Sequence, residues 1–222
     1  MSVHLQRQMD VLKQKILFVG TLVEEAIAKA VSALIKRDQN LARSVIDEDD
    51  EIDRMEVDVE EEVLKILALY HPVAADLRFV IAALKINNDL ERMGDLAQNI
   101  AKRVVFLMKC EKFDLPVEFR GMATKTQAMV KQCLDALVNS DPELARRVRD
   151  ADDEVDELRR DIQDQITRQI ELHPDRAECL LRLTSVARHL ERLADMATNV
   201  AEDVIYMVDG EIVRHSRPVE GL

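Results

Sequence analysis

Leu41-Ala-Arg-Ser-Val-Ile-Asp-Glu-Asp-Asp-Glu-Ile-Asp53 returns as Leu144-Ala-Arg-Arg-Val-Arg-Asp-Ala-Asp-Asp-Glu-Val-Asp156, with nine of thirteen residues identical. Leu90-Glu-Arg-Met-Gly-Asp-Leu-Ala-Gln-Asn-Ile-Ala101 returns as Leu190-Glu-Arg-Leu-Ala-Asp-Met-Ala-Thr-Asn-Val-Ala201, with seven of twelve identical. A repeat of this kind constrains the fold tightly, because both copies must take the same local structure and bury the same faces. His71-Pro72 answers His173-Pro174 in the same order. The chain is therefore a tandem of two units, expected at residues 1–112 and 113–222 and packed as pseudo-twofold relatives.

Each unit is predicted to hold three helices. Breakers are sparse: Asp38-Gln-Asn40, His71-Pro72, Asp114-Leu-Pro116, Ser140-Asp-Pro142, His173-Pro174 and Asp209-Gly210. They delimit helices near 4–37, 39–70, 73–111, 116–139, 142–172 and 174–208. Phe79, Ala83, Ile86, Leu90, Met93, Ala97, Ile100, Val104 and Leu107 advance by fours and threes, as do Leu183, Val186, Leu190, Leu193, Ala197, Val200, Val204 and Met207. Such stripes are the buried seams of long bundles. With 5 Gly, no Trp and 3% aromatic residues, the composition lacks what strands and tight turns favour. The fold class is all-α: two tandem pseudo-symmetric three-helix bundles of long antiparallel helices.

Several function classes are excluded on chemistry. A net charge of −12 repels phosphate backbones, so no nucleic-acid partner is expected. No glycine-rich phosphate loop, HExxH, GxSxG or Glu-x-x-His pair is present, so the sequence predicts no enzyme. Cys110, Cys133 and Cys179 are scattered and odd in number, which predicts neither a disulfide framework nor a zinc-thiolate site and fits a reducing cytoplasm. The longest apolar run, Phe79 to Leu84, is far short of a membrane span. Membrane contact is accordingly expected only through partner proteins.

The residues with chemical potential are acidic. Asp49 and Asp53 with Glu91 and Asp95 recur as Asp152 and Asp156 with Glu191 and Asp195. Residues four apart share a helix face, so each pair offers two carboxylates together, and the two pairs of each half are predicted to meet across a groove. Clustered carboxylates repel unless a cation neutralises them, and all-oxygen donors suit hard ions. The opposing reading is a solvated acidic face, the default for one DxxxD in so acidic a chain; recurrence in both halves favours the site. Asn99 and Asn199 follow as outer supports, and His189, two residues before Glu191, reads by default as a plain surface histidine and otherwise as a further support. Gly94 and Ala194, between the paired acids, either admit a ligand or mark close helix packing. Glu56 and Glu60 extend the first stripe, but Arg159 and Gln163 stand in their places in the second.

The repeated Leu-Glu-Arg-x-x-Asp-x-x-x-Asn segment, at 90–99 and 190–199, together with Asp-Asp-Glu-[Ile/Val]-Asp at 49–53 and 152–156, resembles the PhoU family of bacterial phosphate-signalling regulators. The resemblance spans nearly the whole chain. It implies a cytoplasmic homodimer, peripheral at the inner face of the membrane, that represses the phosphate-starvation response between the ATPase of a phosphate ABC transporter and a sensor histidine kinase. It also implies metal clusters on the E(D)xxxD pairs, with Mg, Mn, Fe or Zn as candidate ions. Many relatives carry His directly after the last Asp, where this chain has Leu96 and Met196. Two alternatives stay open at this stage: a carboxylate metal-storage or redox protein, and an accessory of another ion transporter.

Overall fold

The computed structural model describes residues 3–111 and 115–213. Seven α-helices follow one another: α1 (Val3–Lys36), α2 (Gln39–Tyr70), α3 (Ala74–Leu107), α4 (Val117–Asn139), α5 (Pro142–Asp150), α6 (Asp152–Leu172) and α7 (Ala177–Asp209), with a 3-10 turn at Pro174–Arg176. No strand occurs among the described residues. The chain is all-α, and its helices form two similar bundles, α1–α3 and α4–α7. The expected join after residue 112 lies outside the described residues.

The repeat reaches down to backbone hydrogen bonds. Arg37 and Ser140, at equivalent positions, both take left-handed conformations, with φ of 53° and 51°. The following amide bonds back across the helix end in each case, Asp38 N to Ala33 O at 3.0 Å and Asp141 N to Ala136 O at 2.9 Å. Backbone reversal of this kind satisfies carbonyls that a helix end leaves open. The same aspartates then cap the next helix, Asp38 accepting from the amides of Asn40 and Leu41, and Asp141 from those of Glu143 and Leu144. The other turns are less alike, since His71 is left-handed whereas His173 leads into the 3-10 turn.

One predicted helix is divided. The span 142–172 breaks at Ala151, whose amide bonds to Val148 O in a three-residue step, and α6 then opens on Asp152, Asp153 and Glu154. Three acids in a first turn complement the positive end of a helix, which favours a new start there. In α2 the equivalent stretch continues unbroken, so Asp49 lies mid-helix while its counterpart Asp152 lies in a first turn.

The heptad stripes of α3 and α7 are buried apart from Phe79, which is partly covered. Early residues of α3 meet late residues of α7: Lys85 pairs with Asp203, whereas Phe106 lies beneath the guanidinium of Arg182 at 4.7 Å. The two helices are therefore antiparallel. A second contact between the halves joins α1 to α4, where Gly20 faces Leu134.

The cysteine expectation is corrected. Cys110, just past α3, and Cys179, in the first turn of α7, form a disulfide with Cα atoms 6.3 Å apart. Their separation of 69 residues hides the pairing in the sequence; the antiparallel packing of α3 on α7 creates it. Cys133 stays free and buried, and burial keeps its thiol protonated.

Asp38→Ala and Asp141→Ala are each expected to lower unfolding free energy by about 1 kcal/mol, the usual cost of losing an N-cap. Denaturant melts of both variants check this, and a loss at one position alone would break the equivalence of the two turns.

Candidate functional site

The first acidic cluster lies where α2 crosses α3. Gly94 sets the approach: a Cβ built there would stand 3.0 Å from Ile52 Cδ1, 3.2 Å from Ile52 Cγ2 and 3.6 Å from Asp49 Oδ1. Its counterpart Ala194 is buried as well. Both small residues therefore serve close helix packing, and Gly94 also leaves room for the Asp49 carboxylate. Asp49 is only 7% exposed and borders a groove between α1 and α2 that contains Lys29 and Glu48, paired at 2.8 Å.

Burial is the main cause that pushes the Asp49 carboxyl up to about 6, and the charges of Asp53 and Asp95 add to it. Lys102 opposes them. Glu91 is raised by burial first, then by Asp95, Asp53, Glu56 and Asp49. These mutual effects place Asp49, Asp53, Glu91 and Asp95 in one electrostatic neighbourhood, as their spacing predicts. Glu56 joins them, its own carboxyl raised by burial, Glu60 and Asp53. Its place in the cluster is legible from the continuing acidic stripe, although the repeat pattern points only to four residues.

The second cluster repeats the four acids where α6, restarting at Asp152, crosses α7, and its charge plan differs. Asp152 is pushed up to about 6, by burial first and then by Asp195 and Asp156. Asp195 is raised by burial, Glu191 and Asp156, while Arg192 lowers it. Arg159, in the place of Glu56, donates from Nε to Glu191 Oε1 at 3.0 Å and from Nη1 to Gln163 at 3.1 Å. This half therefore carries an internal counter-charge that the first half lacks at the same position.

Asn99 and Asn199 are half-buried one turn beyond Asp95 and Asp195, and Asn199 Nδ2 lies 3.9 Å from Met196 Sδ. His189 does not serve the acids. It sits on the seam with α3, both ring nitrogens are buried, and burial together with Arg103 and Arg192 pushes it down to about 4, so it is neutral. Across the pseudo-twofold, Asp89 occupies the corresponding place and is raised to about 6 by burial and by Asp203. No repeat motif marks this polar pair of positions.

Oxygen-only donors of this density fit a hard cation in chemical type. Among the described residues, no three or more histidine, cysteine, aspartate or glutamate side chains are gathered tightly enough to hold an ion as they stand.

Comparison with known proteins follows this geometry half by half. The sequence matches the PhoU domain family over residues 16–104 and again over 119–204. It is 39% identical over 209 residues to the phosphate-specific transport system accessory protein PhoU homolog of Aquifex aeolicus, covering 94% of this chain and 95% of that one. Identity to PhoU homolog 1 of Thermotoga maritima is 36% over 210 residues, covering 94% and 90%. The crystal structure of PhoU from Pseudomonas aeruginosa superposes with a TM-score of 0.90 at 36% identity, over 93% of this chain and 99% of that one. The phosphate transport system regulatory protein PhoU from Streptococcus pneumoniae gives 0.86 at 29% identity, over 94% and 99%.

The raised carboxyls carry a pH signature. A group whose folded value exceeds its unfolded value of about 3.9 costs the folded state nothing below that pH, and stability is lost as pH rises through the folded value. Asp49→Asn is therefore expected to raise unfolding free energy at pH 7.5 by on the order of 1–2 kcal/mol and to change it little at pH 4. Melts of wild type and variant at both pH values check this; an equal gain at pH 4 would assign the effect to packing.

Proposed function

This chain belongs to the PhoU family, and from that premise we propose that it restrains phosphate uptake and phosphate-starvation signalling by presenting surfaces to partner proteins. The observation that carries the reading is the match of both repeats to the family together with the duplicated carboxylate clusters. The relatives it matches are named as accessory and regulatory proteins of phosphate transport. Phosphate regulation, not catalysis, is accordingly its role.

The partners in this reading are the ATPase of a phosphate ABC transporter and a membrane sensor histidine kinase, with a homodimer as the working unit. No helix among the described residues is long and apolar enough to cross a membrane. Cytoplasmic placement, at the inner face of the membrane through those partners, suits a protein that works beside a transporter. Exposed apolar side chains also follow the repeat, with Leu69 at the end of α2 matched by Leu172 at the end of α6. Apolar groups at two equivalent turns, set in an acidic surface, suit partners that offer basic or amphipathic elements.

Metal occupancy tunes those surfaces in the same reading. Asp49, Asp53, Glu91 and Asp95, with Asp152, Asp156, Glu191 and Asp195, would hold Mg, Mn, Fe or Zn, with Asn99 and Asn199 supporting. The support is the hard-oxygen chemistry of the set and the cost of leaving these carboxylates ionised together. A bound cation would remove that repulsion and lower the charge that each cluster presents to a partner.

Deleting the gene is expected to switch phosphate-starvation genes on in phosphate-rich medium, read with a reporter fusion. Glu91→Lys and Asp95→Lys combined with Glu191→Lys and Asp195→Lys should weaken repression while the helical spectrum persists, because both heptad stripes are untouched. Normal phosphate control in the deletion strain would remove the phosphate assignment. Full repression by the folded, charge-reversed variant would move the working surface elsewhere.

A further inference from the structure

We infer that Cys110 and Cys179 form a reversible thiol–disulfide switch that fastens the end of the first repeat to the start of the second, exchanging with small disulfides and thiols of the glutathione class. The inference does not rest on the phosphate reading.

The bridge joins the turn after α3 to the first turn of α7, at one end of the antiparallel pair. Both cysteines are half-buried, which leaves part of each residue open to a small reactant, whereas Cys133 is fully buried. Charged side chains of both signs flank the bridge, with Arg176 beside Asp175 and Arg182 beside Glu178. Arg37 on the α1–α2 turn donates to Leu107 O at 2.8 Å and to Cys110 O at 3.0 Å. Arg176 pairs with Glu111 at 3.1 Å, and Arg182 covers Phe106. Partly exposed cysteines are the ones open to thiol chemistry, whereas fully buried ones are inert.

The bridge is also placed where its state matters mechanically. The Arg176–Glu111 pair is largely exposed, with Glu111 82% open to solvent, and pairs of that kind hold little. The opposite end of the seam is held differently, by the Lys85 contact to buried Asp203. Opening the bridge therefore loosens one end of the α3–α7 seam and leaves the other closed. A static staple is not needed for folding, because a 222-residue chain buries an ample core without one.

The exchange balances without a further reactant. One cysteine thiolate attacks a sulfur of the small disulfide, forming a mixed disulfide and expelling one small thiolate. The second cysteine, as its thiolate, then attacks the protein sulfur of that mixed disulfide, closing the Cys110–Cys179 bond and expelling the second small thiolate. The two protons lost by the cysteines are taken up by the two small thiolates, and two electrons pass from the protein sulfurs to the small disulfide. Excess small thiol reverses each step.

The test equilibrates the full chain in mixtures of reduced and oxidised glutathione, quenches with acid, alkylates after denaturation and reads the intact mass. Three alkyl groups are expected at the reduced limit and one, on Cys133, at the oxidised limit, with the change falling inside the range of ratios these mixtures span. Hydrogen exchange should then be faster at residues 104–111 and 177–182 in the reduced protein and unchanged around Lys85 and Asp203. The oxidised form should also melt higher, by roughly 10 °C. Cys110→Ser and Cys179→Ser should each abolish the redox dependence; reduced wild type supplies the same comparison if either variant fails to fold. Three results would overturn the inference: no bridge in pure oxidised glutathione, a bridge that excess reduced glutathione leaves intact, or a lasting glutathione adduct without ring closure.

Discussion

The antiparallel contact of α3 on α7 governs the rest of this structure. Each of these helices serves its own bundle and the seam between bundles, and each buries fourteen residues, with thirteen in α1 and eight in α2. Small residues are plentiful among their buried positions, with alanines at 82, 83, 97 and 101 of α3 and at 187, 194, 197 and 201 of α7. Small residues at helix crossings let backbones approach and multiply dispersion contacts that are individually weak. With α3 and α7 central, α2 and α6 fall to the outside. The carboxylates at the crossings of α2 with α3 and of α6 with α7 thus stand between a buried frame and solvent.

That intermediate position explains their electrostatics. Carboxylates on an outer face would be fully solvated and ordinary, whereas carboxylates in the core would demand a partner each. Asp49 and Asp152 occupy the boundary, where partial burial raises both to about 6 and neighbouring charges add to the effect. Gly94 sharpens the effect in the first half, because the missing Cβ lets α2 approach and carries Asp49 inward with it.

Much of this was open to reading in the sequence, for a definite reason: repeats, heptads and helix breakers act locally, and the structure obeys them. The turns at Arg37-Asp38 and Ser140-Asp141 mark helix ends that any capping argument finds. What escaped reading depends on a partner helix. The Cys110–Cys179 bridge and the Lys85–Asp203 pair exist only because α3 and α7 run antiparallel, and no local pattern states their register. The break at Ala151 escaped for a subtler reason, since Asp152-Asp-Glu154 suits a helix interior facing solvent as well as a helix start.

The divergence between Glu56 and Arg159 has the largest functional weight. The two copies share the same four acids, and one copy carries a guanidinium that reaches Glu191. In that half, part of the repulsion is met from within, so an external cation gains less by binding. In the first half Glu56 adds a fifth carboxyl to the same neighbourhood, and Lys102 opposes the rise at Asp49 without cancelling it. Equal folds thus carry unequal demands for charge. One acidic surface is thus partly neutralised within the fold, while the other keeps more of its charge open to whatever cation or basic segment meets it.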